Sequence, residues 1–323
     1  MKSKEIKRNQ KKLFSLLLVV TVISSLGPVN ASAVTKPAKV KSVKAKEIQK
    51  SYKTWSGEGN KKTKVKYKAM QLSWKKVKGA AGYVVYRYGN ASKVWHQVKV
   101  IKSPKTTSYI VPECSKGSKV KLKIAAYKKV SGQKVYGTES KVISFKPKKN
   151  YELTGTVKTK KYNRYIPKGW YRFVSEDAFV IQNKYRTTKG VAPLEWSEAV
   201  YEMAKIRSKE ATIKVSHTRP NGKGCRTVVE DYLGAKVSKD EISAISSFAE
   251  NLHWGGIWPQ KAMKSWKNSP GHYRNLLSSS HTNGAISFYW KDDGDNAWCA
   301  NFTAFDFDNV KRITTNNETN ETS

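Results

Sequence analysis

The chain has 323 residues, with 10 Trp and 17 Tyr but only 3 Cys; that length is too great for one ordinary domain and suits two, and three cysteines exclude a disulfide-built scaffold, so packed cores must hold the folds. The formal net charge of +38 is unevenly placed: residues 36–161 hold 34 Lys and Arg against 5 Asp and Glu, whereas residues 162–323 hold 22 against 18. The charge therefore belongs to one module and not to the whole protein.

At the N-terminus, residues 1–12 are basic, residues 13–26 are apolar, and Ala31-Ser32-Ala33 supplies small residues at cleavage positions. This is the pattern of a secretory signal peptide over 1–33, with Val34 as the mature start. The apolar run is short for a bilayer span and Gly27-Pro28 breaks it; a retained anchor is the alternative. No second long apolar run occurs. Export makes a disulfide permissible, and a Cys225–Cys299 bond is expected, with free thiols as the alternative. No Cys-x-x-Cys pair points to zinc.

Residues 38–147 alternate apolar and polar with period two in short runs broken by Gly, Pro, Asn and Ser, which predicts strands. The runs are residues 70–74, 83–88, 95–101, 108–111, 120–127 and 141–145, and their spacing predicts an all-β, immunoglobulin-like antiparallel sandwich. Lys119, Lys121 and Lys123 alternate with Val120, Leu122 and Ile124, so the lysines are expected on the solvent face. The segments Leu72-Ser73-Trp74, Gly79-Ala80-Ala81-Gly82-Tyr83-Val84-Val85-Tyr86-Arg87, Tyr109 and Lys123-Ile124-Ala125-Ala126-Tyr127 resemble a fibronectin type III module. The resemblance implies a spacer or adhesion unit, with an unusually long connection over residues 50–66. A net of +29 on one small module exceeds what solubility needs and attracts polyanions in a salt-dependent way. For an exported chain the expected partner is an anionic cell-wall polymer or a membrane surface, and no nucleic acid is expected.

Residues 148–170 are polar, basic and turn-rich and read as a linker; 162–170 are aromatic-rich and expected to pack on the second domain. From Ser175 the period becomes 3.6, which predicts a helix ending near Gly190. Pro193-Leu194-Glu195-Trp196 is expected to open a second helix that buries Val200, Ala204 and Ala211. Further helices are expected over 260–266 and 272–277. Residues 285–290 and 297–305 alternate like strands about the turn Asp292-Asp293-Gly294. Helices about a small antiparallel sheet make an α+β domain over 171–308, layered as α-β-α. Residues 309–323 are polar and read as a disordered tail.

Four segments of this region resemble the CAP superfamily (cysteine-rich secretory, antigen 5 and pathogenesis-related proteins). They are Ser216-His217-Thr218-Arg219-Pro220-Asn221-Gly222, Ala249-Glu250-Asn251-Leu252, Asn268-Ser269-Pro270-Gly271-His272 with Asn275-Leu276-Leu277, and Thr282-Asn283-Gly284-Ala285-Ile286 with Trp298 to Phe302. Their order and spacing make the resemblance specific. It implies that His217, Glu250 and His272 converge in a cleft. A carboxylate beside imidazoles fixes their tautomer and raises their basicity. Such a cluster could hold a divalent cation, zinc or calcium, through His217 and His272, or orient water for general-base hydrolysis. Ser216 adjoins His217 but adjacent residues point apart, and Cys225 is a nucleophile only if unpaired.

Departures from the family pattern are Ala249, Tyr273, His281-Thr282 and the run Trp298-Cys299-Ala300-Asn301-Phe302. His281 is either an extra cleft residue or a loop histidine. Trp254, Trp258 and Trp266 either line a groove or pack in the core. The expected function is an extracellular binding protein whose cleft takes a peptide, lipid or glycan while the basic module holds it at the cell surface. The alternative is a protease-like hydrolase using His217, Glu250 and His272.

Overall fold

The computed structural model describes residues 35–55, 62–151, 158–159, 164–165, 169–234, 247–291 and 295–309. The expected signal peptide, the turn expected at Asp292-Asp293-Gly294 and the tail expected beyond residue 309 lie outside them. No helix among the described residues is long and apolar enough to cross a membrane.

The N-terminal region is all-β. One antiparallel sheet has the order β1-β2-β5, from β1 (Lys44–Trp55), β2 (Lys62–Ser73) and β5 (Ser108–Val111). A second has the order β4-β3-β6-β7, from β3 (Gly82–Tyr88), β4 (Trp95–Ile101), β6 (Val120–Val130) and β7 (Gln133–Tyr136), with β8 (Ile143–Phe145) also paired to β6. Inward residues of both sheets share one core: Met70 and Leu72 of β2, Tyr83 and Val85 of β3, Val111 of β5, and Leu122, Ile124 and Ala126 of β6. The alternation that marks these strands in the sequence is what places every second residue there. Tyr151, within the stretch read as a linker, also packs into this core. The same stretch contains a short antiparallel pair, β9 (Lys158–Thr159) with β10 (Arg164–Tyr165).

Two features of the β region are not evident from the sequence. β1 pairs β2 over its whole length, from Lys44 against Ser73 to Trp55 against Lys62, so much of the expected long connection is strand. Its pattern is masked because most of its residues are charged or polar, those at 44, 46, 47 and 49–51 being exposed. The lysines of β6 also differ from expectation. Lys121 and Lys123 are half-buried, with their ammonium groups over Tyr88 at 4.1 Å and Trp95 at 4.5 Å, their stems covering aromatic surface.

In the C-terminal region, α1 (Arg172–Thr188) is followed by the two-residue strand β12 (Glu195–Trp196), α2 (Glu198–Ala211), α3 (Val228–Leu233), β13 (Ala249–Trp254), α4 (Pro259–Lys267), α5 (Pro270–Leu277), β14 (Asn283–Trp290) and β15 (Asn296–Thr303). The sheet runs β11-β14-β15-β13, with β11 being Gly169–Trp170, and β12 lies parallel to β14. Glu195-Trp196 is therefore strand and not the opening of α2. The start of α2 is set instead by Ser197, whose hydroxyl accepts from Val200 N at 3.1 Å, a side-chain N-cap. Ile286, Phe288, Trp298, Ala300 and Phe302 pack with α1 and α4. Ala285, Ala297 and Cys299 join the clusters that hold residues of α2, as the pleat requires.

The β region and α1 are joined through buried polar contacts. α1 has no capping side chain of its own. Glu113 supplies one from the β region: its Oε2 accepts from Phe173 N at 2.7 Å and Val174 N at 3.2 Å. Its backbone takes a left-handed φ of 54°, an uncommon conformation for a non-glycine residue. Glu176 of α1 in turn accepts from Ala91 N and Ser92 Oγ, each at 3.0 Å. Gly89 leaves room for this contact, because a Cβ there would lie 2.6 Å from the Glu176 carboxylate. Arg87 is buried, donates to the Pro112 and Glu113 carbonyls at 2.7 and 3.0 Å, and stacks 4.0 Å over the Phe173 ring.

Candidate functional site

The site starts from a buried ion pair. Residues Val200, Ala204, Arg207 and Ala211 fall on one face of α2, which packs on the sheet. An arginine at that spacing among small apolar residues is a legible sign of a buried partner. The partner is Glu250 of β13. Arg207 Nε donates to Glu250 Oε2 at 2.7 Å and Arg207 Nη2 to Oε1 at 3.0 Å, with both side chains 1% exposed. The remaining donor capacity of Arg207 goes to the Ser216 carbonyl at 2.7 Å and to Glu210. Arg207 thus fixes both the carboxylate and the segment leading into His217.

His217 stands at the other side of that carboxylate. Its Nδ1 lies 2.9 Å from Glu250 Oε1, while the ring is 60% exposed. An ionised carboxylate only accepts, so Nδ1 carries a proton towards Glu250. Burial alone would raise the Glu250 carboxyl, but hydrogen bonds from His217 and Arg207 outweigh it and hold it below its ordinary value. Hydrogen bonds with Cys225 and Glu250 push the His217 imidazole up to about 10.

Local chain geometry brings Cys225 here. After His217 the chain reverses through Arg219-Pro220-Asn221-Gly222, with Gly222 N donating to the Arg219 carbonyl at 2.9 Å and Gly222 at φ 81°. Proline early and glycine late suit such a turn. Thr218 and Gly224 form an antiparallel bridge, so the next pair outward in the same register is His217 and Cys225. Arg219 anchors the turn to Glu210 at 2.8 Å and to Asp231. Ligand atoms of His217, Cys225 and Glu250 all lie within 4.8 Å of one another.

The structure thus brings together two of the three expected residues. His272, in the first turn of α5, falls outside this close group. Successive residues of β13 point to opposite faces. Asn251 turns to α5, donating to the His272 carbonyl at 2.9 Å, while Glu250 turns to α2. His272 still lies near enough that, after burial, the His217 charge lowers its pKa. The expected Cys225–Cys299 disulfide is absent: both are free thiols. Cys299 is wholly buried on β15 and donates to Glu250 Oε2 at 3.7 Å and to Asn301 Oδ1 at 3.3 Å, whereas Cys225 faces the His217 ring. The Glu250 carboxylate engages both surroundings, and each sulfur has a partner other than the second sulfur.

The residues do not fit the divalent cation expected from the resemblance. Glu250 Oε1 already accepts from His217 and Arg207, and Oε2 from Arg207 and Cys299. A carboxylate offers about four acceptor positions, and here all are taken. The Arg207 charge beside it would oppose a dication, and a set with sulfur and nitrogen does not suit calcium. Two side possibilities also resolve. His281 is buried and stacks on Phe302 at 5.9 Å, so it is a packing residue. Trp266 is fully buried and Trp258 is partly buried against the core, leaving Trp254, 58% exposed, as the accessible indole of the three.

Residues 181–302 match the family model of CAP, the cysteine-rich secretory protein family. No curated protein matches the chain. Solved structures that the chain resembles include an extracellular protein with an SCP domain from Bacillus anthracis (13% identity, TM-score 0.35, covering 79% of this chain and 88% of that one). A cysteine-rich secretory protein from Staphylococcus aureus shows 13% identity and a TM-score of 0.32, covering 84% and 89%. An outer surface protein of Borrelia burgdorferi shows 18% identity and a TM-score of 0.34, covering 42% of this chain and 96% of its own. The region that carries the family-model match, called the CAP region below, includes His217, Cys225, Glu250 and His272.

The CAP region also forms one wall of a groove of about 880 Å³ whose other wall is the β region. Lys116, Lys119 and Lys121 line it from the β side, and Lys184, Lys189 and Lys267 from the CAP side. None of these six is ion-paired to a carboxylate among the described residues. Asp177 is the one acidic residue in the lining, and Tyr88, Tyr185 and Tyr273 contribute aromatic surface. His217, Glu250 and His272 do not line it, so the molecule presents two distinct polar sites.

Proposed function

We propose that this chain is an exported CAP protein held on anionic polymers through the lysine-lined groove between its β region and its CAP region. The observation that carries this reading is the convergence of six lysines, with no carboxylate partner among the described residues, from the β region and the CAP region onto one concavity. Lysines scattered for solubility have no reason to face each other, because their mutual repulsion costs energy unless a polyanion offsets it. A flexible ammonium on a long stem suits a chain of spaced phosphates or carboxylates better than one rigid ligand. The signal-like pattern of the N-terminal sequence supports a polymer outside the cell, with the CAP region displaying its own site from that anchored position.

The test is titration of the full-length mature chain with fluorescently labelled polyphosphate at several NaCl concentrations. Affinity is expected to fall steeply with salt. The triple reversal K116E/K119E/K184E is expected to weaken binding by on the order of tenfold or more and to flatten the salt dependence. K44E/K46E/K66E changes net charge equally on exposed lysines of β1 and β2 and is expected to cost about twofold or less, the share due to net charge alone. Equal losses in the two triples would refute a groove and leave only diffuse charge.

A further inference from the structure

The unpaired thiol beside His217 has a use that the polyanion reading does not call on. We infer that Cys225, His217 and Glu250 form a nucleophile, a base and an orienting carboxylate, and that Cys225 takes acyl groups from esters. Three features carry this. The bridge Thr218–Gly224 places Cys225 and His217 as cross-strand neighbours, so their approach is built into the turn and does not depend on a loose side chain. Glu250 holds Nδ1–H of His217 at 2.9 Å, leaving Nε2 to exchange a proton with the Cys225 thiol; this is the order of roles that a thiol–imidazole–carboxylate system needs. Arg207 keeps the carboxylate charged and immobile, with every acceptor position filled, so Glu250 serves as an orienter and not as a metal ligand. Cys225 is half-buried and His217 is exposed, so an acyl compound can reach the sulfur. Cys114 and Cys299 are buried, and of the three thiols Cys225 alone lies beside an exposed imidazole.

The chemistry balances without a metal or an oxidant. With its proton held on His217, the Cys225 sulfur forms a bond to the ester carbonyl carbon, and the carbonyl π pair moves to oxygen. When that pair returns, the bond to the leaving oxygen breaks and the leaving alcohol takes the proton from His217. Water then adds to the thioester carbon, giving its proton to His217. Collapse releases a carboxylic acid and restores the Cys225 sulfur with its proton held on His217. The net change is ester plus water to acid plus alcohol.

The test uses the full mature chain, reduced, with p-nitrophenyl acetate as the acyl donor and peptide mapping by mass spectrometry. Wild type is expected to carry the acetyl adduct on Cys225 and to release nitrophenol on the order of 100-fold faster than C225S. H217Q is checked for folding by circular dichroism and, if folded, is expected to lose at least about tenfold in acylation rate. E250Q is checked for folding by circular dichroism and, if folded, is expected to fall between wild type and H217Q. C225S releasing nitrophenol at the wild-type rate, or H217Q acylating as fast as wild type, would overturn the assignment. Stoichiometric zinc in the purified protein, removed together with Cys225, would overturn it as well.

Discussion

Replacing Arg207 with Leu is expected to cost about 3–5 kcal/mol of stability, the largest effect of any single change at the CAP site. The reason is not the strength of the ion pair but what its loss leaves behind. Glu250 is 1% exposed and would be a buried carboxylate with no countercharge. Glu210 would keep Arg219 but lose its bond from Arg207, and the Ser216 carbonyl would lose the Arg207 donor in the same step. The double variant R207L/E250L strands no charge at that pair and is expected to be more stable than R207L alone, by about 2 kcal/mol or more. Urea denaturation of wild type, both single variants and the double variant measures this directly. A loss under about 1 kcal/mol in R207L would mean that the pair is not buried as described. The same variant should free His217, since its carboxylate anchor and the Ser216 backbone both rest on Arg207.

The second large effect lies at the joint between the two regions. Burial pushes the Glu113 carboxyl up to about 7, Arg87 and the amides of Val174 and Phe173 offsetting only part of that cost. Burial likewise pushes Asp177 up to about 6, again against Arg87. A carboxyl raised in the folded state binds more protons there than in the unfolded chain, so its stabilising contribution is complete at low pH. For Glu113 that contribution is lost as pH rises from the ordinary 4.5 to about 7, at up to about 1.4 kcal/mol per pH unit. Asp177 acts in the same direction between 3.8 and about 6. Glu176 and Glu250, held below their ordinary values, act in the opposite direction only below about 4.5.

The Glu113 and Asp177 contributions should therefore grow on going from pH 8 to pH 5, while His253, His272 and His281, lowered by burial, act in the opposite direction below about 6.5. E113Q keeps an acceptor for the Phe173 and Val174 amides but removes the titration. It is expected to exceed wild type by about 1–3 kcal/mol at pH 8, with the difference closing by pH 5. Denaturation at pH 5, 6, 7 and 8 checks it; a constant difference across that range would show that Glu113 does not titrate in the joint. The capping contact makes the consequence structural, because Glu113 is what satisfies the first amides of α1.

The strand runs near 83–88 and 120–127 and the helical stretches near 175–190 and 260–266 were legible because burial imposes a period on neighbouring residues. His217 and Glu250 were legible as a pair through the motifs around them. β1 was not, because a strand whose residues are mostly charged or polar carries its alternation in exposure and not in composition. The disulfide expectation failed for a related reason. Two cysteines in one region satisfy a counting rule, but a bond needs their sulfurs to face each other, and here one faces an imidazole and the other a buried carboxylate.

What the sequence alone determined was everything a short stretch of chain can decide for itself: element type, the charge of each region, and the turn at Pro220-Asn221-Gly222 that folds Cys225 back on His217. The tertiary structure decided which residues from distant stretches meet. It set Arg207 under Glu250, seated Glu113 on a helix sixty residues away, and faced lysines of two regions across one groove. Periodicity is a local consequence of burial and can be read along the chain, whereas charge has no direction in sequence and acquires one only when packing chooses its neighbours.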